Sequence, residues 1–160
     1  MDPANLAPLR RLFDEQRVAA LATLHRGEPA ASMTPLVLPS GESSLLVHVS
    51  ALATDTRDML AHPRVGLLIF AAPSDQVPVQ ALPRVSLQAD AERLDPTSCE
   101  RRDGRVHYLA RFPDAAMMFE LPDFSLFALR PVSARLIAGF GQARTLVAGG
   151  LDAWLRAPSR

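Results

Sequence analysis

Lysine is missing altogether: all seventeen basic residues of the 160-residue chain are arginine. Schiff-base catalysis, covalent attachment of pyridoxal phosphate and a phosphate-loop lysine are thereby excluded. Any phosphate has to be held by arginine, backbone N–H groups or hydroxyls. Cysteine is almost as scarce, with Cys99 alone, so no intrachain disulfide can form, which suits a reducing compartment. Net charge is also lacking, because seventeen acidic residues cancel the arginines. A neutral balance carries no electrostatic footprint for DNA or RNA and no polybasic patch for a membrane surface. No run approaches the ~18 continuous apolar residues that cross a bilayer. The opening Met1-Asp2-Pro3-Ala4-Asn5 lacks the basic-then-apolar pattern of a signal peptide. These absences lead us to expect a cytoplasmic protein with neither a nucleic-acid nor a membrane partner.

What is present is a chain 48% apolar, long enough to bury the core of one domain spanning residues 1–160. Residues 5–16 read as a short amphipathic helix, with Leu6, Leu9, Leu12 and Phe13 on one side. Residues 18–24 and 30–38 read as strands about a turn at 25–28, with Pro35 marking an edge or a bulge. In residues 44–50, Leu45, Val47 and Val49 alternate with Leu46, His48 and Ser50, which is period-two strand patterning. Thr54 is placed to cap a helix that carries Asp55 and Asp58 and stops at His62-Pro63.

Residues 65–71 form an apolar strand, 72–83 a proline-rich loop, and 84–91 a cleanly alternating strand. Residues 96–110 and 113–119 read as helices. Two strands, 124–129 and 134–140, are expected on either side of Arg130-Pro131, then a closing helix over about 145–157. Strands joined by turns and short helices do not alternate as a parallel sheet requires. The pattern predicts an α+β, mainly β fold: an antiparallel barrel of six or seven strands with flanking helices.

Four segments carry a family pattern. They are residues 17–24 (RVAALATL) followed by 27–32 (GEPAAS), and residues 49–60 (VSALATDTRDML) ending at His62-Pro63-Arg64-Val65. The third is 83–91 (PRVSLQADA), and the fourth runs from 123–127 (DFSLF) through Arg130-Pro131 to 138–141 (AGFG). In order and spacing, over roughly residues 9–147, they resemble the pyridoxamine 5'-phosphate oxidase-like FMN-binding split barrels, particularly the haem-utilisation branch. The resemblance implies a homodimer with FMN at the subunit interface. The implied cofactor contacts are Ser32, Met33 and Thr34 on the second strand, and Ser50, Leu52, Ala53, Thr56 and Arg57 where the third strand meets the following helix. A helix start also offers unpaired N–H groups to an anion. Asp55 departs from the pattern, since relatives commonly carry lysine or histidine there, and Asp58 stands where asparagine is common.

The implied activity is an FMN-dependent oxidoreductase acting on an unidentified small molecule, with no catalytic side chain demanded because the flavin carries the chemistry. The alternatives are a haem-binding or haem-utilisation protein, and a non-catalytic flavin-binding dimer. Proteins of the haem branch tend to use a histidine beyond the last barrel strand as axial ligand, and this chain has no histidine after His107. The four histidines, His25, His48, His62 and His107, share no metal-ligand spacing, so no metal site is expected. His48 is expected on the barrel exterior or against a partner subunit. Arg57 has two readings, a ligand contact or a surface ion pair with Asp58 or Glu42. Gly139-Phe140-Gly141 allows either a close approach to a planar ligand or a bulge at the end of a strand. The arginines at 101, 102, 105 and 111, interleaved with acids, read as a solvated helical face.

Overall fold

The computed structural model describes residues 6–158. Asn5 and the rest of the opening pentapeptide lie outside them. Helix α1 (Leu6–Glu15) precedes the hairpin β1 (Val18–His25) and β2 (Glu28–Pro35), then β3 (Leu45–Ser50), α2 (Thr54–Ala61), β4 (Arg64–Phe70) and β5 (Arg84–Arg93). Helices α3 (Cys99–Arg111) and α4 (Ala116–Phe119) lead to β6 (Phe124–Gly139), β7 (Gln142–Val147) and α5 (Ala148–Arg156). The strands run antiparallel in the order β2-β1-β4-β5-β6-β3, with β7 added along β6. Just beyond β2, Val37 exchanges both backbone hydrogen bonds with Leu46 of β3, at 3.0 and 2.7 Å. The sheet therefore curls until its two ends touch, which is the expected split barrel.

Two expectations for the C-terminal part are corrected. Residues 124–129 and 134–140 belong to one strand, β6. Pro131 has no N–H to donate to the ladder, and the register against β5 slips there: Gln88 faces Ser133, Ala89 faces Pro131, and Val132 is the extra residue. A bulge thus absorbs the proline without ending the strand. The helix expected from residue 145 begins only at Ala148, because residues 142–147 fold back as β7. The reversal uses Gly141 at φ +71°, a conformation only glycine adopts freely, so the Gly-Phe-Gly segment makes a hairpin turn. At the other end of α2, Thr54 does not cap. Extended Ala53 takes the N-cap position without a side-chain bond, and Asp55 accepts the Thr56 N–H at 2.9 Å.

The barrel core collects the inward positions of β1, β3, β4, β5 and β6 and is sealed by α1 and α5. Phe13 and Trp154 meet edge to face at 6.0 Å, and Trp154 Nε1 donates to the Leu6 carbonyl at 3.1 Å. A second core lies outside the barrel, where α3 and α4 cover β3 and the first half of β6. It is built from Val37, Leu46, Leu94, Tyr108, Ala115, Phe119, Leu126 and Ala128. Strand β3 is therefore buried on both faces. His48 does turn to the outside of the barrel, as expected, but α3 and α4 of its own subunit cover it. It is 7% exposed and stacked on Phe119 at 3.7 Å with the planes 6° apart. Arg101 and Arg105, expected on a solvated face, lie over the Phe119 ring at 5.8 and 5.2 Å.

α3 starts with a side-chain cap: Ser98 Oγ accepts the Arg101 N–H at 3.1 Å. Ser98→Ala should cost about 1 kcal/mol, the usual value of such a cap, read as a lower midpoint in urea unfolding with an unchanged slope. An unchanged midpoint would show that α3 is held by its packing alone.

Candidate functional site

The alternation that sends Ala19, Leu21 and Thr23 inward turns Val18, Ala20, Ala22 and Leu24 outward. Directly opposed residues of neighbouring strands share a face. Met33 lies opposite Ala20 and Ala31 opposite Ala22 on β2, while Leu68 and Gly66 oppose the same two alanines on β4. With Phe70 two residues beyond Leu68, these make a continuous apolar surface on three adjacent strands. Val18, Leu24, Met33, Leu68 and Phe70 are all exposed. An open depression of about 420 Å³ runs across it, walled by Val18, Ala20, Met33, Leu68, Phe70 and Pro73. Scattered exposed apolar residues need no explanation, but a contiguous patch on a soluble surface marks a place that something covers.

Helix α2 lies across the inward edge of the β1–β2 hairpin and meets it through two carboxylates. Asp55 accepts the Ser32 hydroxyl at 3.1 Å. Asp58 is buried and accepts the Thr23 hydroxyl at 3.0 Å through one oxygen, while the other lies 2.9 Å from His25 Nδ1. The hydrogen bond from His25 holds the Asp58 carboxyl below the usual carboxylate range. Burial works the other way, and the Thr23 bond adds to the lowering. A carboxylate can only accept, so the bond to Asp58 places a proton on Nδ1 of His25. His25 ends β1 with its side chain 43% exposed. Sequence reasoning left this triad out, although one signal for it exists. Thr23 and His25 continue the inward face of Leu21 in polar residues, so the end of β1 needed polar partners.

The structure brings some of the sequence-derived cofactor residues together and scatters others. Ser32 meets α2 through Asp55. Met33 lies on the opposite side of β2, 63% exposed on the apolar face. Thr34 is buried, with its hydroxyl donating to the Pro35 carbonyl at 3.0 Å. Ser50 donates to Asp123 at 2.8 Å and accepts the Leu52 N–H at 3.1 Å, shaping the turn into α2. Leu52 is 80% exposed and Ala53 half-buried. Thr56 is buried under α2 with its hydroxyl unpartnered.

Arg57 makes neither of the ion pairs weighed for it. Asp58 faces inward to His25 and Thr23, and Glu42 pairs with Arg156 at 3.5 Å. Arg57 stays exposed on α2 without an ion pair among the described residues. The Asp55 carboxylate takes both the Ser32 hydroxyl and the first-turn N–H of Thr56, two groups that the resemblance implied for the cofactor. Arg57 is the cation left at this place. Among the described residues no cluster of three or more metal-ligating side chains occurs, and no helix is long and apolar enough to cross a membrane.

Residues 7–138 match the family described as pyridoxamine 5'-phosphate oxidase. Among curated relatives, the chain is 31% identical over 119 residues to the chloroplastic non-canonical heme oxygenase HOZ of Arabidopsis thaliana. That alignment takes in 74% of this chain but 35% of the plant protein, so the chain spans about a third of that relative's length. It is 24% identical over 139 residues to the heme oxygenase HutZ of Vibrio cholerae, covering 84% of this chain and 77% of that one. Among solved structures, a heme binding protein from Mycobacterium smegmatis superposes with a TM-score of 0.83 at 27% identity, over 96% of this chain and 62% of that one.

Proposed function

Because the chain belongs to the pyridoxamine 5'-phosphate oxidase family, we propose that it is a haem-binding member acting as a pair of identical subunits, whose exposed β1–β2–β4 faces meet around the tetrapyrrole. The observation that carries this reading is the apolar surface of Val18, Ala20, Leu24, Met33, Leu68 and Phe70. A flat, mostly apolar ring system needs walls of that kind, and burying them also rewards association. Two of the relatives above are heme oxygenases and the third is a heme binding protein, which favours the same ligand. The FMN reading loses support at Asp55. A carboxylate there repels a phosphate and occupies two of the donors meant for it.

Bound haem would supply iron and a conjugated macrocycle; this chain would supply apolar contact and the exposed Arg57 for a carboxylate of the ligand. Titrating the purified protein with hemin should give a saturating Soret band and a higher melting temperature, because a ligand specific to the folded state must stabilise it. The same excess of FMN should leave the melt unmoved. Flavin colour kept through purification, with no Soret band on adding hemin, overturns the proposal in favour of FMN.

A further inference from the structure

We infer that the cleft between the start of α3 and the start of β6 is a binding site for an aromatic carboxylate, whose acid group is held by Arg93 and Arg101. The cleft encloses about 420 Å³ and is walled by Arg93, Leu94, Arg101, Phe119, Pro122 and Phe124. It shares no residue with the depression on the β1–β2–β4 face, so the inference stands apart from the haem reading. Neither arginine forms an ion pair or a side-chain hydrogen bond among the described residues. In the neighbouring cleft lined by Asp103 and His107 the arginines are neutralised. There Arg130 is bound by Glu92 and Glu100, and Arg156 by Glu42 and Asp152. Glu120 is the acid in the wall of the Arg93–Arg101 cleft, and Arg105 takes it at 2.6 Å. A concave surface left with charge of one sign concentrates its field on an anion of the other.

The chain that joins the two arginines is fixed. The Leu94 N–H donates to the Leu126 carbonyl at 2.9 Å, just past the end of β5. Asp95 then accepts the N–H and the hydroxyl of Thr97 at 2.7 and 2.6 Å, and its carbonyl accepts the Ser98 N–H at 3.0 Å. The Asp95 carboxylate is thus engaged in the turn and not offered to either arginine. Arg101 lies 5.8 Å over the Phe119 ring, a contact that uses none of its N–H donors. Phe119 is in turn stacked on the buried His48. A guanidinium steadied in this way presents its planar fork to a carboxylate with less ordering left to lose on binding. Arg101 also stands in the first turn of α3, where the helix dipole favours an anion over a cation.

The remaining wall sets the body of the ligand. A bare ion fills only a small part of a cleft whose volume lies within the range of small-molecule sites. Pro122 and Phe124, with Leu121 47% exposed beside them, offer apolar surface next to the cationic fork. A flat ring carrying one carboxylate satisfies both halves, because an aromatic face packs on such side chains and on a guanidinium plane alike.

The test is a calorimetric titration of the full chain with 2-naphthoate, which should bind saturably. Acetate, which lacks the ring, and 2-naphthamide, which lacks the charge, should each bind at least about tenfold more weakly. Arg93→Gln and Arg101→Met should each weaken 2-naphthoate by about tenfold or more, the usual effect of losing a hydrogen bond to a charged group. Methionine at 101 keeps a side chain on Phe119. Arg93 is exposed at the end of β5, so its variant carries the test alone if Arg101→Met loosens that contact. Arg102→Ala, next along α3 and outside the wall of the cleft, and Leu68→Arg, on the β1–β2–β4 face, should bind as wild type does. No saturation by about 10 mM, a concentration beyond the weakest specific binding expected of such a site, overturns the inference. So does acetate or 2-naphthamide binding as tightly as 2-naphthoate, wild-type affinity in Arg93→Gln, or loss of binding in Leu68→Arg.

Discussion

Leu68→Arg is expected to leave the subunit folded, convert the proposed pair to monomers and abolish the proposed haem binding. Leu68 points outward from β4 opposite Ala20 and is 36% exposed in the subunit, so an arginine there reaches water in the monomer. In the proposed pair the same position is covered. A stable interface of this kind removes roughly 1,200–2,000 Å² from water, and twofold symmetry places the new charge on both sides of it. An unpaired charge buried at such a surface costs about 3–5 kcal/mol, which weakens association by more than about 100-fold. Sedimentation equilibrium reads the assembly and a hemin titration reads the site. Phe140→Arg is the control. Phe140 is 87% exposed, but it sits in the β6–β7 turn and its substitution should change neither reading. A Leu68→Arg protein that remains dimeric, or binds haem as tightly as before, would refute the proposed role of the β1–β2–β4 face.

The second large effect is acid lability of the outer core. Burial, and then the charges of Arg101 and Arg105, push the His48 imidazole down from its ordinary 6.5 to about 4. Both of its nitrogens lack partners, and Phe119, Tyr108 and Phe124 surround it. On unfolding, the ring takes up a proton at its ordinary value while the folded protein refuses it. The stability in question is therefore complete above about pH 6.5 and is lost as the pH falls toward 4. The loss reaches about 3 kcal/mol at the bottom of that window. Tyr108, pushed up to about 12 by burial, does not titrate there.

The carboxylates held low by their partners, Asp58 and Asp90 among them, lose their contributions only further down. Urea unfolding between pH 7 and pH 4 should show the decline. His48→Phe, which keeps the stack on Phe119, should flatten it. An equally steep decline in His48→Phe would assign the acid lability to other groups.

Much of the architecture was readable because it depends on local periodicity. The apolar run of residues 18–24 and the alternation in 44–50 and 84–91 located β1, β3 and β5, and His62-Pro63 correctly marked the end of α2. The candidate site was legible in part. The contact between β2 and the start of α2 exists, but Asp55 fills it, Thr34 and Thr56 are turned into the protein, and Met33 serves the opposite face of its strand. The resemblance grouped residues of β2 with the start of α2, and those two elements do touch. It could not say which way each side chain turns once α2 packs across the hairpin, since that depends on how the helix is rotated about its axis.

By itself the sequence determined the class of fold, through strand-length alternation cut by turn residues. It also ruled out lysine chemistry and disulfides, which depend only on the residues present. Tertiary structure alone decided that β6 runs through Pro131, that β7 replaces the start of the last helix, that His48 is enclosed, and that His25 meets Asp58 across 33 positions of chain. The physical reason is common to all four. Local pattern tells which side of a strand or helix a residue takes, whereas what lies against that side comes from segments brought together only when the chain closes on itself. Hydrogen bonds, burial and the titration that follows from them belong to that closure.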